Sequence, residues 1–256
     1  MTQYSAANRS IGIKVPEITI YFWIIKVLST TVGETFADYL NEQLGLGLTR
    51  TSLVMSIVLG AALVVQFKSK GYTPAAYWLV VVLTSITGTL LTDNLTDNLG
   101  VSLILSTFVF SIVLAAIFFQ WYRSENSLSI HSIDTPKREA FYWLTILFTF
   151  ALGTATGDLI AERFAIGYGY SFWLFVALIA AVGILFRTKV VGSILAFWAT
   201  YVLTRPLGAS VGDYLSQSKS DGGIGLGTTK TSFIFLSVIF LVIAFLTITK
   251  KDRIVE

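Results

Sequence analysis

Long apolar stretches separated by short polar segments run along nearly the whole chain. A stretch of roughly 20 mostly apolar residues is long enough to cross a bilayer as a helix, and eight such stretches occur. Prolines and a glycine pair fall in several of the gaps, where helices are expected to end. We therefore predict eight transmembrane helices, at about residues 17–41, 51–67, 74–96, 102–122, 139–161, 170–187, 190–216 and 230–249.

A sequence motif recurs in every second one of these stretches. It begins with Trp, continues after nine residues with Gly and after three more with a small residue, and ends with Asp, any residue, and Leu or Ile. The offsets between the four copies are 55, 65 and 55 residues. Repeats of this length are a strong signature of an architecture built from one repeated unit. We predict a single membrane domain, residues 1–256, with two-helix repeats at 17–70, 71–125, 139–189 and 190–250.

In this pattern the sequence resembles a bacterial family of integral membrane proteins of unknown function. Its members contain four tandem repeats, each with two transmembrane segments and a tryptophan. The resemblance covers roughly residues 17–250 and rests on Trp23, Trp78, Trp143 and Trp198, each followed by the Gly and the Asp of the motif. It implies the architecture. We predict an integral protein of the bacterial inner membrane. The resemblance implies no activity, so the function has to be inferred from the residues.

The repeats also predict how the helices are arranged. Because each repeat has two spans, all four share one orientation and should surround an axis along the membrane normal. Polar residues are concentrated in the odd-numbered helices, and polar groups in spans face the interior of a bundle. We therefore expect an all-α membrane protein with an inner layer of odd helices and an outer layer of even ones. The paired small residues of the motif should allow close helix packing, and each Trp should anchor its helix at the membrane interface.

Composition and charge fix the class of protein and its orientation. The chain is 54% hydrophobic and only 13% charged, whereas soluble domains are about 25% charged. Lys and Arg in the loops number twelve on one side and four on the other, which predicts cytoplasmic N- and C-termini. The twelve are Arg9, Lys14, Lys68, Lys70, Arg123, Lys137, Arg138, Arg187, Lys189, Lys250, Lys251 and Arg253, against Arg50, Arg163, Lys219 and Lys230.

Several kinds of chemistry are excluded by what the sequence lacks. It has no Cys and a single His, His131, in a polar loop, so thiolate or multi-histidine metal sites are not expected. There is no basic tract for nucleic acid and no cofactor-binding or catalytic motif. We predict that the protein is not an enzyme. Its partners should be the lipid bilayer and a small inorganic ion, and the sequence does not indicate an oligomeric state.

Ionisable residues inside the spans are the candidate functional residues. In the first helix Lys26, Thr30, Glu34 and Asp38 are spaced by four, which places them in one stripe along a helix face. The motif puts an aspartate at the same depth in each of the four odd helices. Below this level the stripes place Glu34 with two threonines, and deeper still Lys26 and Arg205. The full candidate set is Glu34, Asp38, Asp93, Asp158, Asp213, Lys26, Arg205, Thr30, Thr89 and Thr154.

Carboxylate and hydroxyl oxygens are ligands for hard cations such as Mg²⁺, Ca²⁺ and Mn²⁺. The sequence therefore favours a secondary transporter or exporter of a divalent cation such as Mn²⁺, with protons as the candidate coupling ion. Because Glu34 and Arg205 each occur in one repeat only, we expect an off-axis site between the first and fourth repeats. The predicted metal ligands are Glu34, Asp38, Asp93, Asp158 and Asp213.

Two other interpretations remain open at this stage. Lys26 and Arg205 could bind an anion, which would make the protein an anion channel or transporter. Alternatively the polar core is structural and the protein is a membrane scaffold. In that case each Asp would cap the N-terminus of an even helix, and the charged residues would form ion pairs that fix helix register. Asp97 and Glu162, one turn beyond two of the aspartates, are expected to be solvated.

Overall fold

A computed structural model describes residues 12–253, so Arg9 and the two ends of the predicted domain lie outside the described residues. Eight long α-helices and no strands are found in this part of the chain. They are α1 (Ile20–Asp38), α2 (Leu48–Lys68), α3 (Pro74–Asp93), α4 (Leu103–Glu125), α5 (Pro136–Asp158), α6 (Tyr168–Arg187), α7 (Ser193–Ser216) and α8 (Thr228–Thr249). The eight predicted segments are confirmed as helices, with ends that differ by a few residues.

Prolines mark the start of two of these helices, and a wider turn follows three of them. Pro74 and Pro136 occupy the first turns of α3 and α5, where the missing N–H of proline costs nothing. Beyond the motif aspartate, α1, α3 and α5 each continue into a wider π-helical turn, at Tyr39–Gln43, Asn94–Asn98 and Leu159–Arg163. The α7 helix continues past its aspartate without such a turn and ends at Ser216.

The four odd helices form a closed inner ring. The α1 helix packs against α3, α3 against α5, α5 against α7, and α7 returns to α1. These helices are mostly buried by protein, whereas the even helices are mostly uncovered along their length. The predicted inner and outer layers are therefore confirmed, and the stripes of all four odd helices belong to one ring.

The outer helices do not pack chiefly on the inner helix of their own repeat. The α2 helix packs against α3, α4 against α5, and α6 against α7, while α8 packs against α1 and closes the circle. Each outer helix therefore covers the inner helix of the next repeat in the ring. This interlocking joins the last repeat to the first. The two helices of one sequence repeat are therefore not the two helices that pack most closely together.

The motif glycines are the points at which neighbouring inner helices approach most closely. A Cβ at Gly33 would overlap Ser85 on α3, and one at Gly208 would overlap Thr30 on α1. The corresponding glycines of the second and third repeats, Gly88 and Gly153, meet α5 and α7 in the same way. The predicted packing role of these small residues is therefore confirmed, and it is repeated around the whole ring.

The expectation of eight spans needs one refinement. Seven of the eight helices are long and apolar enough to cross a membrane by their own composition, and α1 is not among them. The α1 helix has 19 residues and carries Lys26, Glu34 and Asp38. Because α3, α7 and α8 pack around it, its polar groups meet protein rather than lipid. A helix surrounded in this way does not need an apolar surface of its own.

The expected role of the tryptophans as interfacial anchors is wrong for three of the four. Trp78, Trp143 and Trp198 are at most 5% exposed, and they pack edge to face against the buried aromatic residue that precedes each of them. Trp198 also donates a hydrogen bond to the Leu128 carbonyl, at 2.9 Å. The reason is that the chain segments at this end cover the helix ends, so the rings belong to the core rather than to the bilayer interface.

Candidate cation site

The ionisable side chains follow a gradient of burial from one end of the inner ring to its centre. Glu42, Asp97 and Glu162 are exposed at the rim, as predicted for the last two. One turn deeper, Asp38, Asp93 and Asp158 are half-buried and Asp213 is buried. We call these seven residues together with Glu34 the acidic vestibule. Each of its four motif aspartates lies close enough to Glu34 for their charges to interact.

Arg205 forms the floor of the acidic vestibule. Its guanidinium is completely buried and donates to the Glu34 carboxylate at 2.8 Å. The same guanidinium donates to the Thr30 carbonyl at 2.9 Å, to the Thr154 hydroxyl at 2.6 Å and to the Thr89 hydroxyl. The first and fourth repeats thus meet through the Glu34–Arg205 pair, and the second and third contribute the two threonines.

Three carboxylates form the group best placed to hold a cation. Glu34, Asp158 and Asp213 each offer an oxygen, and the three oxygens lie within 4.8 Å of one another. Asp38 and Asp93 share the depth of the other aspartates but do not belong to this group. The off-axis position expected from the sequence is therefore modified, because the third repeat contributes a carboxylate to this group together with the first and fourth.

The carboxylates of the four motif aspartates are not used for capping. Within residues 12–253 none of these four side chains takes part in a hydrogen bond or an ion pair. The α2, α6 and α8 helices begin after glycines without a side-chain cap, and α4 is capped by its own Ser102. This removes the basis for a clasp between each Asp and an even helix, and it leaves the aspartate oxygens available to a ligand.

Lys26 does not join the cluster of charges in which the sequence placed it. Its amine lies 4.2 Å from the centroids of both the Phe150 and the Tyr201 rings. It has no hydrogen-bond partner among the described residues, and its side chain is fully buried. The stripe put Lys26 two turns below Glu34, and in the structure that level of the ring is lined by aromatic side chains of the third and fourth repeats. The contacts are therefore cation–π rather than ionic.

Sequence reasoning overlooked Glu42. It stands four residues after Asp38, as Asp97 and Glu162 stand four residues after their own aspartates, and Gln217 takes the fourth position. The signal was thus present in the repeat itself. The π-helical turns carry the three acidic residues, so the rim is a second acidic tier contributed by three of the four repeats.

The opposite end of the inner ring is filled by an aromatic plug, formed by Phe22, Tyr77, Tyr142 and Phe197. These residues precede the four motif tryptophans, and all are buried. The rings of Phe22 and Phe197 lie 5.9 Å apart, and the two tyrosine rings stack at 6.4 Å with their hydroxyls in contact. The acidic vestibule is therefore separated from this end of the protein by a packed aromatic layer.

Loops and the described chain ends cover the aromatic plug. Lys14 forms a buried ion pair of 2.7 Å with Glu139, which also accepts a hydrogen bond from Gln66. Tyr72 donates to the carboxylate of Asp252, near the end of the described chain. Burial, together with this hydrogen bond, raises the pKa of Tyr72, so its phenol stays protonated and acts as the donor. His131 lies in this region as an exposed loop residue, as expected, and pairs with Glu17 at 3.3 Å.

These features define an integral membrane protein made of four two-helix repeats around a polar centre. The chain belongs to the family described as Repeat of Unknown Function (DUF347), which it matches four times, at residues 21–72, 76–127, 141–190 and 196–252. The matched ranges agree closely with the four repeats predicted from the motif. Neither the curated proteins nor the solved structures give a match to this chain.

Proposed function

We propose that this protein is a transporter of small divalent cations such as Mn²⁺, and that three carboxylates of the acidic vestibule form its ion-binding site. The observation that carries the proposal is the group formed by Glu34, Asp158 and Asp213. Their oxygens lie within 4.8 Å of one another, and the two aspartates have no hydrogen-bonding or ionic partner within the described chain. Three hard oxygen ligands at such separations suit Mg²⁺, Mn²⁺ or Ca²⁺.

Electrostatics favours a cation over an anion as the substrate. An ion that enters from the vestibule end meets eight carboxylates before it reaches Arg205. A mouth lined by one sign of charge concentrates ions of the opposite sign, so anions would be repelled there. An ion that enters from the other end is blocked by the aromatic plug. Lys26 lies among aromatic rings rather than in an open polar pocket, which also weakens the anion alternative.

The scaffold alternative is disfavoured by the cost of the arrangement. A buried carboxylate without a partner is expensive in a protein interior. Asp213 is only 7% exposed and has no partner among the described residues. A structural core would gain stability if the aspartates were paired or replaced by apolar residues. Carboxylates kept unpaired are better explained by a ligand that binds to them.

The orientation that accompanies this proposal follows from the distribution of basic residues. The positively charged side of the bundle should be cytoplasmic, which places the aromatic plug on that side and the acidic vestibule on the outside. In a bacterium the protein would then reside in the inner membrane. The aromatic plug closes the cytoplasmic side, so net transport requires a second state in which the plug opens, and protons are the candidate coupling ion.

Ion flux into proteoliposomes tests the proposal. Purified protein is reconstituted around a metal-sensitive dye, and uptake of Mn²⁺, Mg²⁺, Ca²⁺ and Zn²⁺ is compared with uptake of chloride and phosphate. We expect Mn²⁺ flux that D158N and D213N reduce to the level of empty vesicles. The matched control is D97N, which removes a carboxylate at the exposed rim and should keep at least a third of the flux. Flux that is absent, or that survives D158N and D213N in folded protein, would contradict the proposal.

A further inference from the structure

The Arg205 guanidinium lies among oxygen atoms contributed by the three other repeats and donates hydrogen bonds to them. Thr30 supplies a carbonyl and Glu34 a carboxylate from the first repeat, while Thr89 and Thr154 supply hydroxyls from the second and third. Carbonyl, carboxylate and hydroxyl oxygens are the ligands that a hard metal cation takes in a protein. Arg205 therefore stands where a small cation would find its ligands, and it is itself a cation.

In this position the Arg205 guanidinium does not make all the hydrogen bonds of which it is capable. All of its hydrogen bonds come from the two terminal nitrogens, and Nε is buried without a partner among the described residues. A buried donor without an acceptor destabilises the arrangement that holds it. The residue that follows is Pro206, inside α7, and a proline removes one hydrogen bond from the helix ladder. The guanidinium is thus held through its two terminal nitrogens only, next to a weakened point of its helix.

The position of Glu34 makes it the shared partner of Arg205 and of an entering ion. One Glu34 oxygen accepts from the guanidinium at 2.8 Å, and the carboxylate also belongs to the group with Asp158 and Asp213. A cation bound by those three residues would lie next to the guanidinium and repel it. Since like charges at close range oppose each other strongly in a medium of low dielectric constant, ion and guanidinium cannot both bind Glu34 at full strength.

We propose that Arg205 is a tethered competitor of the transported cation, and that it holds the site in a low-affinity state from which the ion can be released. This inference rests on the proposed function. Binding of the ion at Glu34 weakens the hold on Arg205, and the guanidinium in turn loosens its bonds to Thr89 and Thr154. Because the bonds of Arg205 to Glu34, Thr89 and Thr154 together join all four repeats, arrival of the ion is transmitted around the inner ring.

Equilibrium binding of Mn²⁺ to the purified, detergent-solubilised full chain tests the inference. We compare the wild type with R205M, which keeps an unbranched side chain and removes the charge. R205M should lower the Kd for Mn²⁺ about tenfold or more, because a competing positive charge has been removed. The matched control is R163M, the same substitution at an exposed arginine in the π-helical turn at the vestibule rim, which should change the Kd less than threefold.

A second variant covers the case in which R205M does not fold. R205K keeps the charge but replaces the planar fork of donors with a compact ammonium, so it competes less well and should lower the Kd about threefold. A Kd for R205M that equals or exceeds that of the wild type overturns the inference, as does an equal gain in R163M. If R205K is the only folded variant, an unchanged Kd overturns it.

If the wild type binds Mn²⁺ and R205M does not differ, the inference alone fails. If neither folded protein binds any metal of the panel, the proposed function fails with it.

Discussion

Gly88 and Gly157 offer a matched pair of substitutions that tests how closely the inner helices pack. Both are motif glycines inside the inner ring, and both would become alanine. A Cβ at Gly88 would lie 2.6 Å from the Phe150 Cβ and 3.2 Å from the Ala151 backbone nitrogen. At Gly157 the nearest atom would be the Ala209 Cβ, at 3.6 Å. Only the first substitution creates a clash, because carbon atoms are in favourable contact at about 3.5–4.0 Å.

The size of the difference follows from these distances. Overpacking of a closely packed core costs about 1–3 kcal/mol. The clash at Gly88 involves a Cβ and main-chain atoms, which no rotamer change can move, so a cost in the upper half of this range, about 2–2.5 kcal/mol, is expected. At Gly157 alanine fits, and it gains about 0.5–1 kcal/mol from the lower conformational freedom of the unfolded chain. The two variants should therefore differ by about 3 kcal/mol in the free energy of unfolding.

Thermal unfolding in detergent, followed by tryptophan fluorescence, measures this difference. A change of 1 kcal/mol shifts the midpoint by about 2–4 °C in proteins of this size. We therefore expect G88A to unfold about 6–12 °C below G157A, and G157A to unfold at or slightly above the wild type. If G88A were as stable as G157A, the inner helices could not approach each other as closely as described, and the interlocked ring would be wrong.

Two further predictions concern the buried ion pair and the orientation. E34Q leaves the Arg205 guanidinium buried without a carboxylate, which should lower the free energy of unfolding by about 3–5 kcal/mol. The double variant E34Q/R205M should recover part of that loss. An E34Q protein of unchanged stability would contradict the pairing. The chain has no native cysteine, so T188C and S220C can each be labelled alone. In intact cells a membrane-impermeant maleimide should react with S220C and not with T188C, and the reverse pattern would invert the proposed orientation.

Much of the fold could be predicted because the same motif occurs four times in the sequence. The spacing of Trp, Gly and Asp marks the odd helices, and the concentration of polar residues on them predicts the inner layer. Repeat alignment also puts Arg205 one turn below the level of Glu34, and in the structure the two residues form an ion pair. These are inferences from helical periodicity, and periodicity is the most reliable signal in a sequence of this kind.

Other features depend on which helices become neighbours, and a repeat does not specify that. The packing of α8 on α1, and of each outer helix on the next inner helix, follows from ring closure. Lys26 was grouped with the ionisable residues of the candidate site, but its neighbours Phe150 and Tyr201 come from other repeats, where an apolar position in the stripe gave no sign of contact. The buried tryptophans were misjudged for a similar reason, because the segments that cover them come from distant parts of the chain.

The most direct test of the account is the location of a bound metal ion. Crystals of the full chain grown with Mn²⁺ can be measured at a wavelength at which manganese scatters anomalously. We expect a single strong peak among the carboxylates of Glu34, Asp158 and Asp213, with oxygens at about 2.0–2.6 Å as for hard divalent cations. The peak should disappear in D158N/D213N crystals grown in the same way. A map without a peak in the acidic vestibule, or with manganese only at the exposed rim, would contradict the assignment of this group as the ion-binding site.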